Sequence, residues 1–474
     1  MTPSAWILAA LLLGTLTGAA SCVGVAPVGG EGEGEGEGES EATYALMVQP
    51  PPDMLLEPAA DSAAVLRLSD GRLLVATQVV SGTQVITPAE GAAPVEVAAG
   101  YDISYVRVDP RTGAAESEVV NEGDIDDTIV ASDQSADGTA WLAIAAGRRT
   151  IGSGTPSISP TLFLRRFSAD GSLRTSVSFP ADVGMSGAAL AALADGGVLV
   201  HAGTGVAGIT PEASSAVVAR LDASGALLWA AGLDGTLEVG GAVETDTGTL
   251  AIAGAQFSAL TLHDTEGIAV PLPCAHATGA YLAILTAEGA AWRTVPIDTD
   301  AIAGPPHLAV GSAGIVAAGY ISGTVTLPGG TTIEPQGRQI AWAASFGNDL
   351  IEWWTMTSTE GIGNITQVRA SGTDVWLVGT IESPLEFGGL RVPGGNASTW
   401  SARLAYDGTV LGVSYLDSAS QTWPLTASRL DADGHGYVAA VSGGDLETPR
   451  GPIAIPSPSL VVVDDGALTA ALPL

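Results

Sequence analysis

From about residue 61 onward the chain alternates short apolar runs with clusters of turn residues. The runs are too short for helices and read as strands. The clearest copy is AALAALADGGVLVHAG at 188–203, followed by a loop and then AVVARLDASGALLWAAGL at 216–233. It predicts four strands: two joined by a tight Asp-Gly turn, a variable loop, then two more joined by a second such turn. That second turn recurs at 109–113 (DPRTG), 168–171 (SADG), 222–225 (DASG), 286–289 (TAEG), 347–349 (GND), 405–408 (AYDG) and 463–466 (VDDG). Seven units in 414 residues give about 59 residues each.

Four strands repeated seven times is the pattern of blades around a central channel. The expected fold is therefore all-β: a single seven-bladed β-propeller over residues 61–474. Its blades fall near 61–122, 123–181, 182–234, 235–298, 299–358, 359–417 and 418–474. Ala-rich first strands such as 188–193 suit the crowded axis. Trp229, Trp292, Trp353 and Trp354 fall on fourth strands, where large rings are expected to fill the widening gap between blades. Closure is expected from blade seven packing on blade one, or from TYALMV at 43–48 supplying a strand to the last blade.

The N-terminus reads as an address. AWILAALLLGTLTG at 5–18 is an apolar run suited to a signal-peptide core. Ala19-Ala20-Ser21-Cys22 follows and resembles the lipobox of bacterial lipoproteins, although Ala19 stands where Leu is commoner and no basic residue precedes the run. The expectation is a signal peptide over 1–21, acylation at Cys22, and a disordered Gly/Glu-rich tether over 22–60. Val23 after the cysteine fits an outer-membrane destination, facing the periplasm or the cell surface.

Composition adds a strong charge bias. The chain has 51 acidic and 17 basic residues, a net charge of −34, and every basic residue is Arg. Such a field disfavours nucleic acid as a partner and favours cations or basic ligands. Two cysteines, Cys22 and Cys274, do not make a disulfide scaffold.

The repeats resemble the SBBP family of bacterial β-propeller repeats, common in lipoproteins of myxobacteria and their relatives. LDADGHGYVAAVSGG at 430–444 is similar to the first half of such a unit. AVVARLDASGALLW at 216–229 and TWSARLAYDGTVLG at 399–412 are similar to the second half, with Arg220 and Arg403 in place of Lys. This resemblance implies a fold and no activity. A weaker likeness joins DPRTG at 109–113 and LDASGALLW at 221–229 to quinoprotein dehydrogenase repeats. Asp222 stands one residue too close to its Gly, however, and no adjacent cysteine pair exists, so no quinone cofactor is implied.

Candidate chemistry is sparse. His263, Cys274 and His276 share one loop and have the donor types of a Zn²⁺ site, with ordinary loop residues as the alternative. The blade connections are acidic, and Asp124, Asp126, Asp127, Asp298 and Asp300 are the candidate ligands for Ca²⁺ at the channel mouth. Binding is expected on the face bearing the long second-to-third-strand loops, where segments 257–278, 322–335 and 383–396 look like inserted hairpins. Arg107, Arg166, Arg220 and Arg403 recur near the end of the third strand and read as ion-pair or packing elements. The sequence points to a monomeric, non-enzymatic binding scaffold at the cell envelope, without a resident cofactor, its partner a protein, a glycan or a cation. The alternatives are a hydrolase or lyase using carboxylates at the channel mouth, and an envelope assembly factor.

Overall fold

A computed structural model describes residues 45–48, 63–80, 84–86, 95–97, 101–108, 115–120, 125–150, 157–181, 187–211, 214–272, 278–311, 314–327, 332–334, 339–347, 351–359, 363–371, 374–381, 384–392, 398–418, 427–430, 436–448 and 451–464. Every regular element among them is a β-strand, and all pairing is antiparallel. The fold is all-β, repeat-like and of β-propeller type.

The third unit shows how sequence makes the repeat. Ala188–Ala192, Val198–Ala202, Ala216–Leu221 and Leu227–Asp234 pair in chain order. The middle strands are buried on both sides, which is why they read as unbroken apolar runs rather than alternating ones. Outer strands do alternate; Leu173–Pro180 in the second unit exposes every other residue. Cores lie between successive sheets: Leu199, Val218 and Leu233 of the third unit pack with Ile252 and Tyr281 of the fourth. Ala251 and Leu282 of the fourth pack in turn with Leu308 and Trp342 of the fifth.

The first strands lie side by side in chain order. Ala63–Arg67 adjoins Ile125–Gln134, which adjoins Ala188–Ala192, followed by Leu237–Glu244, His307–Gly311 and Gly363–Ser371. Ala427–Leu430 lies against both Gly363–Ser371 and Ala63–Arg67. In the last sheet Ala45–Val48 pairs with Leu460–Val463 of Gly451–Asp464, so the TYALMV segment contributes a strand. That strand falls inside the range read as tether.

Three sheets have six strands rather than four. The extra pair in each is a hairpin from the following unit. Leu260–His263 and Ala269–Leu272, from the fourth unit, add to Leu227–Asp234 of the third. Val325–Thr326 and Thr332–Ile333 add to Ala291–Thr299, and Leu385–Phe387 with Leu390–Val392 add to Ile351–Thr359. The inserted hairpins of the sequence reading are therefore edge strands of the neighbouring sheet, not free display loops. A sheet edge left bare is an aggregation hazard, and these hairpins cover it.

Candidate functional site

The first strands of six units line a channel of about 200 Å³. At the face bearing the tight turns it opens into a bowl of about 720 Å³ lined by Ser135, Asp137, Ala194, Glu244 and Asp246 among others. Within the channel, Arg369 donates to Asp133 at 3.0 Å, joining residues 236 positions apart. The other Asp133 oxygen accepts the Ala192 amide at 2.9 Å, so one carboxylate ties the second, third and sixth units. The two partners occupy matching register positions: Asp133 faces Trp141 and Arg369 faces Trp376 across their hairpins.

Two further acids of the bowl are also committed. Asp137 accepts the Thr139 amide at 2.8 Å and the Ser135 hydroxyl, which hold its carboxyl below the usual range. Glu244 accepts the Ala194 amide at 2.7 Å, linking the fourth unit to the turn of the third. His307 also lines the channel; burial, then the Arg369 charge, lowers its imidazole to about 4, so it is neutral near pH 7. Sequence reading missed Asp133, Arg369 and His307. The available signal was slight: charges of opposite sign near the ends of two first strands, IDDTIVASDQ and GNITQVRAS, that hold other polar residues as well.

Of the residues singled out from sequence, Asp127 is buried in Ile125–Gln134, Asp298 lies in Ala291–Thr299, and Asp300 follows that strand. Asp300 accepts the Thr324 amide at 2.7 Å and so anchors an inserted hairpin. Asp124 and the side chain of Asp126 lie outside the described residues. His263 Nε2 sits 2.9 Å from the Asp234 carboxylate, across the junction between the third unit and the hairpin added to it. Cys22, Cys274 and His276 are outside the described residues. Among the described residues no group of three His, Cys, Asp or Glu side chains is placed to hold a metal ion. Glu238, at the face opposite the turns, has its carboxyl raised by burial, and Tyr320 is raised by burial and by the Glu238 charge.

Three of the four recurring arginines, Arg107, Arg220 and Arg403, serve packing and pairing. Arg220 donates to Asp195 at 2.7 Å and to the Ala287 carbonyl at 2.9 Å; Arg107 donates to the Gly171 carbonyl at 3.0 Å; Arg403 donates to Asp374 and lies over Trp376. The tryptophan expectation needs one correction. Trp229 packs on Gly289 of the next unit and donates to the Ala287 carbonyl at 2.9 Å, and Trp353 packs on Gly408. Trp292 is instead 66% exposed. Arg220 pairs with Trp229 and Ser345 with Trp353, but Ile284 pairs with Arg293, which leaves Trp292 at the bulge and turned outward. It lines a separate cleft of about 330 Å³ with Thr245, Asp246, Thr249 and Arg293.

No family model matches the chain, and no curated protein matches it. Among solved structures it is similar to a protein of unknown function from Dyadobacter fermentans (12% identity, TM-score 0.42, covering 89% of this chain and 96% of that one). It is also similar to a streptogramin B lyase (11%, TM-score 0.42, 89% and 97%). A third is the Pan2 WD40 domain of Neurospora crassa (12%, TM-score 0.33, 70% and 90%). Similarity at this level assigns no activity.

Proposed function

We propose that the chain is a lipid-anchored, SBBP-like binding scaffold of the bacterial envelope: a closed ring of seven blades, held to the outer membrane through Cys22, that captures a protein, a glycan or a cation. The Asp133–Arg369 pair carries this reading. It fills the axis with a structural tie between the second and sixth units, leaving the rims of a rigid frame for recognition. The neighbour order of the first strands and the N-terminal strand in the last sheet support closure. The SBBP-like segments and the lipobox-like residues support the envelope setting, and the net charge of −34 speaks against nucleic acid as a partner.

The test has two parts. Labelled fatty acid is expected to enter the wild type and not Cys22→Ser; equal labelling of both would remove the anchor from the proposal. The ring without residues 1–42 is then used as bait on the native envelope, where a saturable ligand is expected. A carboxylate-dependent hydrolase or lyase is the second reading, favoured by Glu238 alone, since a raised carboxyl suits a general acid. Turnover abolished by Glu238→Gln would put that enzyme in place of the scaffold.

A further inference from the structure

We infer that the cleft between the fourth and fifth units binds an alkylguanidinium cation on Trp292 and Asp246. The inference rests on the scaffold reading and names its ligand class. Twice the chain itself builds the arrangement that such a ligand would complete. In the third unit Arg220 donates to Asp195 of the first turn at 2.7 Å and to the Ala287 carbonyl at 2.9 Å, and the Trp229 indole donates to the same carbonyl. In the sixth unit Arg403 donates to Asp374 at 2.8 Å, and its guanidinium carbon lies 5.3 Å from the centre of the Trp376 ring. Carboxylate, indole and guanidinium thus recur as a set at the face bearing the turns.

The fourth unit supplies two of the three. Just before the bulge of its third strand, where the other two units carry Arg220 and Arg403, it has Ile284. No guanidinium comes from that position, and a cleft of about 330 Å³ lies there, at the small end of the roughly 300–1,000 Å³ typical of small-molecule sites. Trp292 offers its exposed indole to this cleft. Asp246 lines it from the tip of the first turn, exposed and with no hydrogen-bond or ion-pair partner among the described residues. Arg293 lines the cleft as well, but it already has a partner of its own. An aromatic face beside an unpaired carboxylate suits a cation. A guanidinium matches it best, because its plane stacks on an indole while its fork of N–H donors meets a carboxylate. Ile284, Ile315 and Phe346 form an apolar wall for the alkyl stem. Asp246 also lines the acidic bowl with Asp137 and Glu244, so the local field has the sign that draws a cation in.

The test titrates n-propylguanidinium against the full chain by calorimetry and saturation-transfer NMR at constant physiological ionic strength, with n-propylurea as the neutral compound of the same shape. The cation is expected to bind saturably at millimolar or lower concentration, and the urea about tenfold more weakly. Trp292→Ala and Asp246→Asn should each weaken the cation about three- to fivefold, while Trp292→Phe, which keeps an aromatic face, should stay within about twofold. Because both side chains are exposed, these variants should melt with the wild type, so lost binding is not lost fold. General attraction to an acidic surface would survive either substitution. A blocked Gly-Arg-Gly peptide in a further arm separates the two sources of the group. Tighter binding of the peptide than of n-propylguanidinium supports an arginine of a partner polypeptide, and equal or weaker binding supports a free guanidino compound. No saturable binding of n-propylguanidinium, equal binding of the urea, or binding unchanged in either Trp292→Ala or Asp246→Asn would overturn the inference. An envelope ligand still captured by the wild type would confine that failure to this cleft, whereas a wild type that captures nothing would remove the scaffold reading too.

Discussion

His201 shows what a single residue adds beyond the repeat. It stands in VLVHAG, where the pattern asks for an apolar side chain, and it is fully buried with Nε2 3.2 Å from the Tyr281 hydroxyl. Burial lowers its imidazole to about 3. The folded protein therefore holds it neutral, while the unfolded chain takes up a proton below pH ~6.5. Stability from this group is complete above that pH and is lost as pH falls toward 3. Between pH 7 and pH 5 the loss should be about 2 kcal/mol. Urea unfolding at the two pH values checks this, and His201→Gln should remove the increment. A variant that keeps the same pH slope would show that His201 is not its source. His307 contributes in the same direction but less, being partly open to the channel.

Glycine at the second turn is a residue-scale requirement with a packing cause. Gly289 has φ +85°, and a side chain there would meet the Trp229 ring at 2.8 Å. Gly248 has φ +76° with open space around it. Gly289→Ala is expected to cost roughly 1–3 kcal/mol more than Gly248→Ala, because it adds a clash to the same backbone strain. Equal melting of the two variants would show that the indole yields freely. The sequence signalled the turn, since Asp-Gly spacing is local. That Trp292 faces outward was also legible but overlooked: Trp229 stands four residues after Gly225 and Trp292 only three after Gly289, so Trp292 falls on the bulged position that the third unit fills with Leu228.

At the scale of elements, the strands and turns of the third and fourth units were legible because their periodicity is local. The inserted hairpins were legible only in part. Their sequences announce two short strands and a turn, but their partner is the outer strand of the preceding unit, a non-local pairing that no window of sequence contains. Leu260, Leu262 and Leu272 are buried in that junction. Leu262→Ala should cost about 2–5 kcal/mol, as in other cores, whereas Thr261→Ala should cost under about 0.5 kcal/mol. Replacing 259–273 with a Gly-Ser linker should also bare the edge of Leu227–Asp234 and produce oligomers on size exclusion. A monomer of near-normal stability would mean that the hairpin decorates the junction rather than sealing it.

The whole molecule turns on how the repeat ends meet. The pairing of Asp133 with Arg369 was not legible in sequence, because they are 236 residues apart and only an arrangement that brings the second and sixth units together makes them partners. The N-terminal strand raises the same question at the seam. Gly451–Asp464 pairs with Gly436–Thr448 on one side and with Ala45–Val48 on the other, so the last sheet joins both ends of the chain. If that strand closes the ring, removing residues 1–50 strips the seam and bares the edge of Leu460–Val463 in the last strand. Removing residues 1–42 should leave the seam intact. The longer deletion is expected to cost about 1.5–3 kcal/mol, the scale of one buried Leu or Val, and to promote self-association through the bared edge. Urea unfolding and light scattering on the two truncations read both effects. If the two unfold alike and stay monomeric, the seam depends on Ala427–Leu430 against Ala63–Arg67, and the N-terminal strand is an ornament to a ring closed by packing.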